Sequence, residues 1–106
     1  MVITVKNLFA QLSADAVGES IVTLFEHSSA RVEGIVSRTH ESPPGFWYDQ
    51  SDDEWVIVLG GSATLEFAAG ECVEMNCGDY LAIPRHAKHR VKRTSAETIW
   101  LAVHAK

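Results

Sequence analysis

A chain of 106 residues with 46% hydrophobic and 22% charged side chains has the composition of one ordinary globular domain and leaves no room for a second core. Its net charge of −5 would be repelled by a phosphate backbone, which excludes non-specific nucleic-acid binding. No stretch approaches the roughly 20 apolar residues of a membrane-spanning helix, and the opening MVITVKNLFAQLSADA lacks the basic segment and apolar run of a signal peptide. A cytoplasmic protein with no membrane partner is therefore expected. Cys72 and Cys77 agree: they lie five apart on a strand and its following turn, poorly placed to bridge, and they miss the C-x-x-C spacing of zinc and redox motifs.

The expected organisation is a single domain over 1–106, with an N-terminal segment over 1–30 and a barrel over 31–104. In the N-terminal segment Ser13 could cap a short turn. Val17, Ile21, Leu24 and Phe25 fall at helical spacing, so a short amphipathic helix is expected over Ala16 to Glu26. A strand competes for IVTLF, which is short and β-branched. From Arg31 onward the helical period disappears. RVEGIVSRT reads as a strand broken by Ser42-Pro43-Pro44-Gly45, and EWVIVL as a nearly continuous apolar strand ended by Gly60-Gly61. SATLEF, ECVEM, YLAI, HRVKRT and TIWLAVH follow, separated by turns at Ala69-Gly70 and Asn76-Cys77-Gly78-Asp79 and by Pro84. Short strands at close, regular spacing with no helices between them indicate an all-β fold, an antiparallel barrel or jelly roll of two packed sheets with a short N-terminal helical segment.

EWVIVL carries more information. Val56 and Val58 face one way, Trp55, Ile57 and Leu59 the other, so both faces want cover. One face suits the barrel interior. With TIWLAV, the other offers more apolar surface than one small barrel covers, and a homodimer is expected.

Two segments carry the chemistry. Glu54 opens a strand with Gly61 seven positions on; Gly78, Pro84 and His89 mark a turn, a strand end and the start of the next strand. These residues resemble the two cupin motifs, G-x5-H-x-H-x3–4-E-x6-G and G-x5-P-x-G-x2-H-x3-N, and the pattern extends over about Ile35 to Val103. The chain is thus similar to the small single-domain, RmlC-like cupins of the conserved-barrel type. In that family three histidines and a glutamate hold a divalent metal in the barrel mouth. Here Glu54 and His89 occupy matching positions, but the H-x-H pair is missing: it falls on Trp47 and Asp49 with the longer spacing, or on Tyr48 and Gln50 with the shorter. His86 stands at the motif glycine and Arg93 at the asparagine.

The resemblance implies a site built on Glu54 and His89, with Asp49, Gln50 or His86 completing it for Zn²⁺, Fe²⁺ or Mn²⁺. Trp47 and Tyr48 either pack a barrel end or roof a ligand pocket. Plainer readings stand beside these: Glu54 could pair with Arg85, Lys88 or Arg90 at the surface, and Asp49, Asp52 and Asp53 could form a solvated acidic loop. His27, His40 and His104 match no motif position and are expected at the surface. Asp79, Arg85, Lys88 and Arg90 are expected at the rim, where a net cationic character would favour an anionic small-molecule ligand. Two functions follow. One is a metal-dependent cupin, an enzyme of dioxygenase, decarboxylase or isomerase type or a binding protein. The other is a metal-free sensor or binding module with a degenerate site. A metal-free epimerase using His89 as base is less consistent with so short a chain. No catalytic residue is assigned by the sequence, since one fold hosts many chemistries.

Overall fold

The computed structural model describes residues 1–12 and 18–106. A single helical turn, α1 (Leu8–Gln11), is capped by Asn7, whose side chain accepts a 3.1 Å hydrogen bond from the Ala10 N–H. Eight strands follow: β1 (Gly18–His27), β2 (Ala30–Arg38), β3 (Asp53–Gly60), β4 (Ser62–Phe67), β5 (Cys72–Asn76), β6 (Tyr80–Ile83), β7 (His89–Thr94) and β8 (Thr98–Ala105). They form a five-stranded antiparallel sheet, β1-β2-β8-β3-β6, facing a three-stranded one, β5-β4-β7, in a jelly-roll arrangement. No helix among the described residues is long and apolar enough to cross a membrane.

The strands from RVEGIVSRT onward form where the alternation places them. The helix expected over Ala16 to Glu26 does not form: from Gly18 the chain is β1, while Ser13, Ala16 and Val17 lie outside the described residues. Tertiary pairing decides this. As a strand, Ile21 lies opposite Ile35 and Val22 opposite Gly34, so the ladder satisfies every second backbone group that a short isolated helix would have to satisfy alone. The N-terminal helical turn exists, but earlier, over Leu8–Gln11. Leu8 and Leu12 fill the space over Gly34, where a Cβ would collide with the Leu8 side chain.

Between the sheets lies one apolar core. Val56 and Val58 of β3 and Trp100 and Ala102 of β8 meet Ala63 and Leu65 of β4, Val91 of β7 and Met75 of β5. The Trp100 indole N–H donates to Ser37 Oγ at 3.1 Å, so the largest core side chain leaves no orphan donor. On β3 the even positions face this core and Trp55 and Ile57 face outward, which is the division the doubly apolar strand requires.

Gly61 turns the chain from β3 into β4 at φ +76°, and a Cβ there would strike the Glu97 carbonyl and the Ser95 hydroxyl. The same turn is tied down by the Ser62 N–H donating to Ser95 Oγ at 3.1 Å and by Thr98 Oγ1 donating to the Ser62 carbonyl at 2.8 Å. Gly78 also has positive φ, +93°, but open space around its missing Cβ. Gly61→Ala is therefore expected to cost roughly 2–4 kcal/mol, a left-handed penalty plus a backbone clash, and Gly78→Ala only about 1–2 kcal/mol. Urea unfolding of the two variants checks this; equal losses would contradict the steric argument.

Candidate functional site

A cavity of about 80 Å³ opens between the sheets at the end where β3 and β7 begin and β8 finishes. Its floor is apolar, formed by Val56, Leu65, Ile83, Val91 and Trp100; its polar lining is Glu19, Glu33, Glu54, His89, His104, Tyr48 and Gln50. Register explains the gathering. Glu54 and His104 are directly opposed across β3 and β8, on the face that carries Val56 and Ala102. Glu33, opposite Ala102 on β2, is the diagonal neighbour of His104. Across the barrel, the first residue of β7, His89, is locked by a two-bond bridge to Tyr48, N–H to O at 2.7 Å one way and 3.1 Å the other.

The Glu54 carboxylate lies between two imidazoles, Oε1 3.6 Å from His89 Nε2 and Oε2 3.8 Å from His104 Nε2. Both separations exceed hydrogen-bond length. His89 Nδ1 donates to the Ala87 carbonyl at 2.8 Å, which turns Nε2 toward the cavity. Tyr48 stacks on the His89 ring at 5.4 Å, with Phe67 at 5.9 Å on the same imidazole. His104 Nε2 is 2.8 Å from Glu33 Oε1, and the Tyr48 hydroxyl donates to Glu19 Oε1 at 3.3 Å. Gln50 Oε1 is buried with no hydrogen-bond partner.

Electrostatics follow from this packing. Burial alone would lower the His89 pKa, but the Glu54 carboxylate and the Ala87 carbonyl outweigh it and raise the imidazole above its ordinary value. Tyr48 is pushed up to about 12 by burial, by the charge and hydrogen bond of Glu19, and by Glu54, so its hydroxyl keeps its proton.

Of the residues singled out in the sequence, Glu54, His89, Tyr48 and Gln50 line the cavity. Trp47, Asp49 and His86 do not. Alternation turns Asp49 away from its neighbours Tyr48 and Gln50, and His86, at φ +61° in an exposed loop, pairs with it at 2.8 Å outside the barrel. The shorter motif spacing, on Tyr48 and Gln50, is thus the one the backbone follows. The surface pairing considered for Glu54 is taken instead by Asp53, which binds Arg85; Arg90 binds Glu66 and the Ser42 carbonyl, Asp79 caps its own turn at Asn76, and neither these nor Lys88 line the cavity. Among the described residues no cationic rim forms there. His104 corrects the expected surface role: it is 4% exposed. His40 is half-buried, 3.8 Å from Glu19, and His27 is exposed. Glu19, Glu33 and His104 were not read as site residues from the motifs. The alternation of RVEGIVSR and TIWLAVH held the signal for two of them, since Glu33 shares a face with Ile35, and His104 with Trp100.

Comparison with known proteins agrees with this architecture. Residues 38–104 match the family described as the cupin domain, and the chain belongs to that family. No curated protein matches it. Among solved structures it is similar to a "putative mannose-6-phosphate isomerase" of Ralstonia eutropha JMP134, at 41% identity and TM-score 0.90, over 98% of this chain and 99% of that one. It also shares the fold of an RmlC-like cupin with a double-stranded β-helix from Methanocaldococcus jannaschii, at 18% identity and TM-score 0.74, over 99% and 92% of the two chains. A cupin superfamily protein of Desulfitobacterium hafniense gives 13% and 0.77, over 91% and 84%.

The raised His89 pKa has a sign. A folded-state pKa above the unfolded value adds stability that is fully present below the unfolded value of 6.5 and is lost as pH rises through the folded one. In metal-free protein, NMR titration should place His89 above the ordinary imidazole range and melting temperature should fall across that interval. Glu54→Gln should bring the His89 pKa down; an unchanged titration would contradict the assigned cause.

Proposed function

We propose that the cavity is a divalent-cation site held by Glu54 and His89, with Gln50 Oε1 and His104 completing the donor set. One observation carries this reading: among the described residues the largely buried Glu54 carboxylate has only imidazoles beyond hydrogen-bond length for company, and the buried Gln50 carbonyl lining the same cavity has no donor. A buried carboxylate and an amide oxygen left without hydrogen bonds favour a cation beside them. Two imidazoles, a carboxylate and an amide oxygen suit a borderline ion such as Zn²⁺, Fe²⁺ or Mn²⁺. The Ala87 carbonyl fixes the His89 tautomer as an outer partner of a ligand histidine does. Among the described residues no three His, Cys, Asp or Glu side chains are gathered closely enough to form a finished metal shell. Binding would therefore require Glu54 and the imidazoles to draw together and His104 Nε2 to exchange its 2.8 Å contact with Glu33 for the ion.

Such an ion would supply Lewis acidity to a water or a ligand oxygen at its open positions. The chain supplies the rest. Tyr48 presents a hydroxyl oriented by Glu19, and Glu33 holds His104 through the 2.8 Å contact of its carboxylate with Nε2. The apolar floor excludes water. A cavity of about 80 Å³ is smaller than the roughly 150 Å³ that admits a benzene ring, so it fits an ion with a few waters or the end of a small molecule. Among the described residues three glutamates and no Lys or Arg line it, which disfavours an anionic ligand. A sugar phosphate, the substrate named for the Ralstonia eutropha protein, would lack a counter-charge here. The ligand we infer is small, polar and uncharged or cationic. Free, exposed Cys72 and Cys77 support a reducing, cytoplasmic setting.

The metal-free alternative is a binding pocket in which protonated His89 faces Glu54, and it draws support from the hydrogen bond that already occupies His104 Nε2. Calorimetric titration of Zn²⁺ and Mn²⁺ separates the two. Wild type should bind, more weakly as pH falls, because protons compete for the imidazole nitrogens. His89→Ala and Glu54→Gln should weaken binding beyond the roughly 10–100-fold typical of losing an outer partner, while Asp49→Ala and His86→Ala leave it unchanged. If wild type binds neither ion, or the His89 and Glu54 variants bind as well as wild type, the metal reading fails.

A further inference from the structure

Charge is not balanced around the cavity. Of its three carboxylates, Glu33 is met by the Arg31 guanidinium, whose Nε lies 3.1 Å from Oε2, and by His104 Nε2 at 2.8 Å. Glu54 faces two imidazoles and, in the proposed site, the ion. Glu19 has no such partner among the described residues. It lies near the start of β1, opposite Ser37 of β2, and its side chain is only 15% exposed. Its basic neighbour, His40 Nε2, is 3.8 Å away, beyond hydrogen-bond length, and does not line the cavity.

What Glu19 does have is two hydroxyls. Ser37 Oγ donates to Oε2 and the Tyr48 hydroxyl to Oε1, each at 3.3 Å. The Ser37 oxygen already accepts from the Trp100 indole at 3.1 Å. Tyr48 keeps its proton, its pKa pushed up to about 12 by burial first and by Glu19 next. Both hydroxyl protons are thus committed to Glu19. This wall of the cavity turns only acceptors toward a ligand, the carboxylate and the Tyr48 oxygen. Two long, neutral hydrogen bonds do not replace the water that a buried carboxylate has lost.

We propose that the molecule taken by this cavity carries one protonated amine, seated against Glu19 and the Tyr48 oxygen. The inference rests on the cavity being the functional site and names the class of its ligand; Glu19 is not one of the proposed ligands of the ion. An ammonium group supplies the two things this wall lacks, a positive charge and N–H donors. Tyr48 stacks on His89 and reaches Glu19 with its hydroxyl, so a single tyrosine side chain spans from the imidazole to the amine position. Ile21 and Ile35, paired across β1 and β2 next to Glu19, line the cavity and give apolar contact to a short carbon chain. The volume of about 80 Å³ limits that chain to a few carbons.

NMR shift titration of the full chain with isopropanolamine, propylene glycol and lactate tests this. These probes place an ammonium, a hydroxyl or a carboxylate on the same small alcohol. Isopropanolamine should bind at least about 10-fold more tightly than propylene glycol, the advantage of a charged over a neutral hydrogen bond, and lactate should not bind. Glu19→Gln keeps the size and removes the charge, and should cut that advantage to less than about 3-fold. Tyr48→Phe keeps the ring on His89 and removes the oxygen; it should also reduce the advantage, and it reports even where Glu19→Gln fails to fold. The titrations use chelator-treated protein and are repeated with Zn²⁺, so failure of the ion to bind sinks the cation reading and leaves this one to stand or fall on the amine. No shift with isopropanolamine at about 50 mM overturns the proposal. So does propylene glycol or lactate binding as tightly, or an amine advantage unchanged in the variants, which would place the amine elsewhere.

Discussion

The carboxylate of Glu54 is held inside the barrel mouth without a hydrogen bond among the described residues, 3.6 Å from one imidazole and 3.8 Å from another. Removing an ion from water costs several kcal/mol. A single protonated imidazole at that distance returns only about 4 kcal/mol at the effective dielectric of a protein near its surface. Attraction and desolvation therefore nearly balance, and nothing about stability alone would place a carboxylate there. Its position on the inner face is fixed by β3: with Val56 and Val58 committed to the core, period two obliges Glu54 to face inward. The cross-strand neighbour His104 and the β7 residue His89 inherit their positions from the same sheet geometry.

That geometry links the two faces of the five-stranded sheet. The strand that brings Glu54 to the cavity also turns Trp55 and Ile57 outward, opposite Val103 and Leu101 of β8. A residue-by-residue alternation of site and surface would be expected of a sheet wet on one side. Here the outward positions are as apolar as the inward ones, so the strand that builds the site also carries Trp55 and Ile57 on its opposite face.

Much of this was legible in the sequence. Turn residues at Gly60-Gly61, Asn76-Cys77-Gly78-Asp79 and Pro84 delimit strands whose alternation is unambiguous, and the spacing from Glu54 to Gly61 and from Gly78 to His89 resembles the cupin pattern closely enough to give the fold. What local pattern could not give was pairing. Ala16 to Glu26 carries a helical spacing while its β-branched IVTLF reads as a strand, and the ladder with β2 decides for the strand from Gly18. His104 lies outside the motifs and reaches the site because β8 runs beside β3; its inward face is written in the alternation of TIWLAVH, but its neighbour is not. The choice between Asp49 and Gln50 turned on a one-residue difference in spacing, which inverts the face a side chain takes. Arg85 and Arg90 pair with Asp53 and Glu66 outside the cavity instead, leaving an acidic cavity without the cationic rim that was expected.

The account stands on the claim that this acceptor-rich mouth is completed by a cation, and the metal content of protein purified without a histidine tag tests it most directly. Elemental analysis should find about one divalent ion per chain, lost together with His89 and Glu54 in the double variant His89→Ala/Glu54→Gln. Wild-type protein carrying less than about a tenth of an ion per chain, even after dialysis against excess Zn²⁺ or Mn²⁺, would contradict it and leave the metal-free Glu54–His89 pair as the resting state of the site.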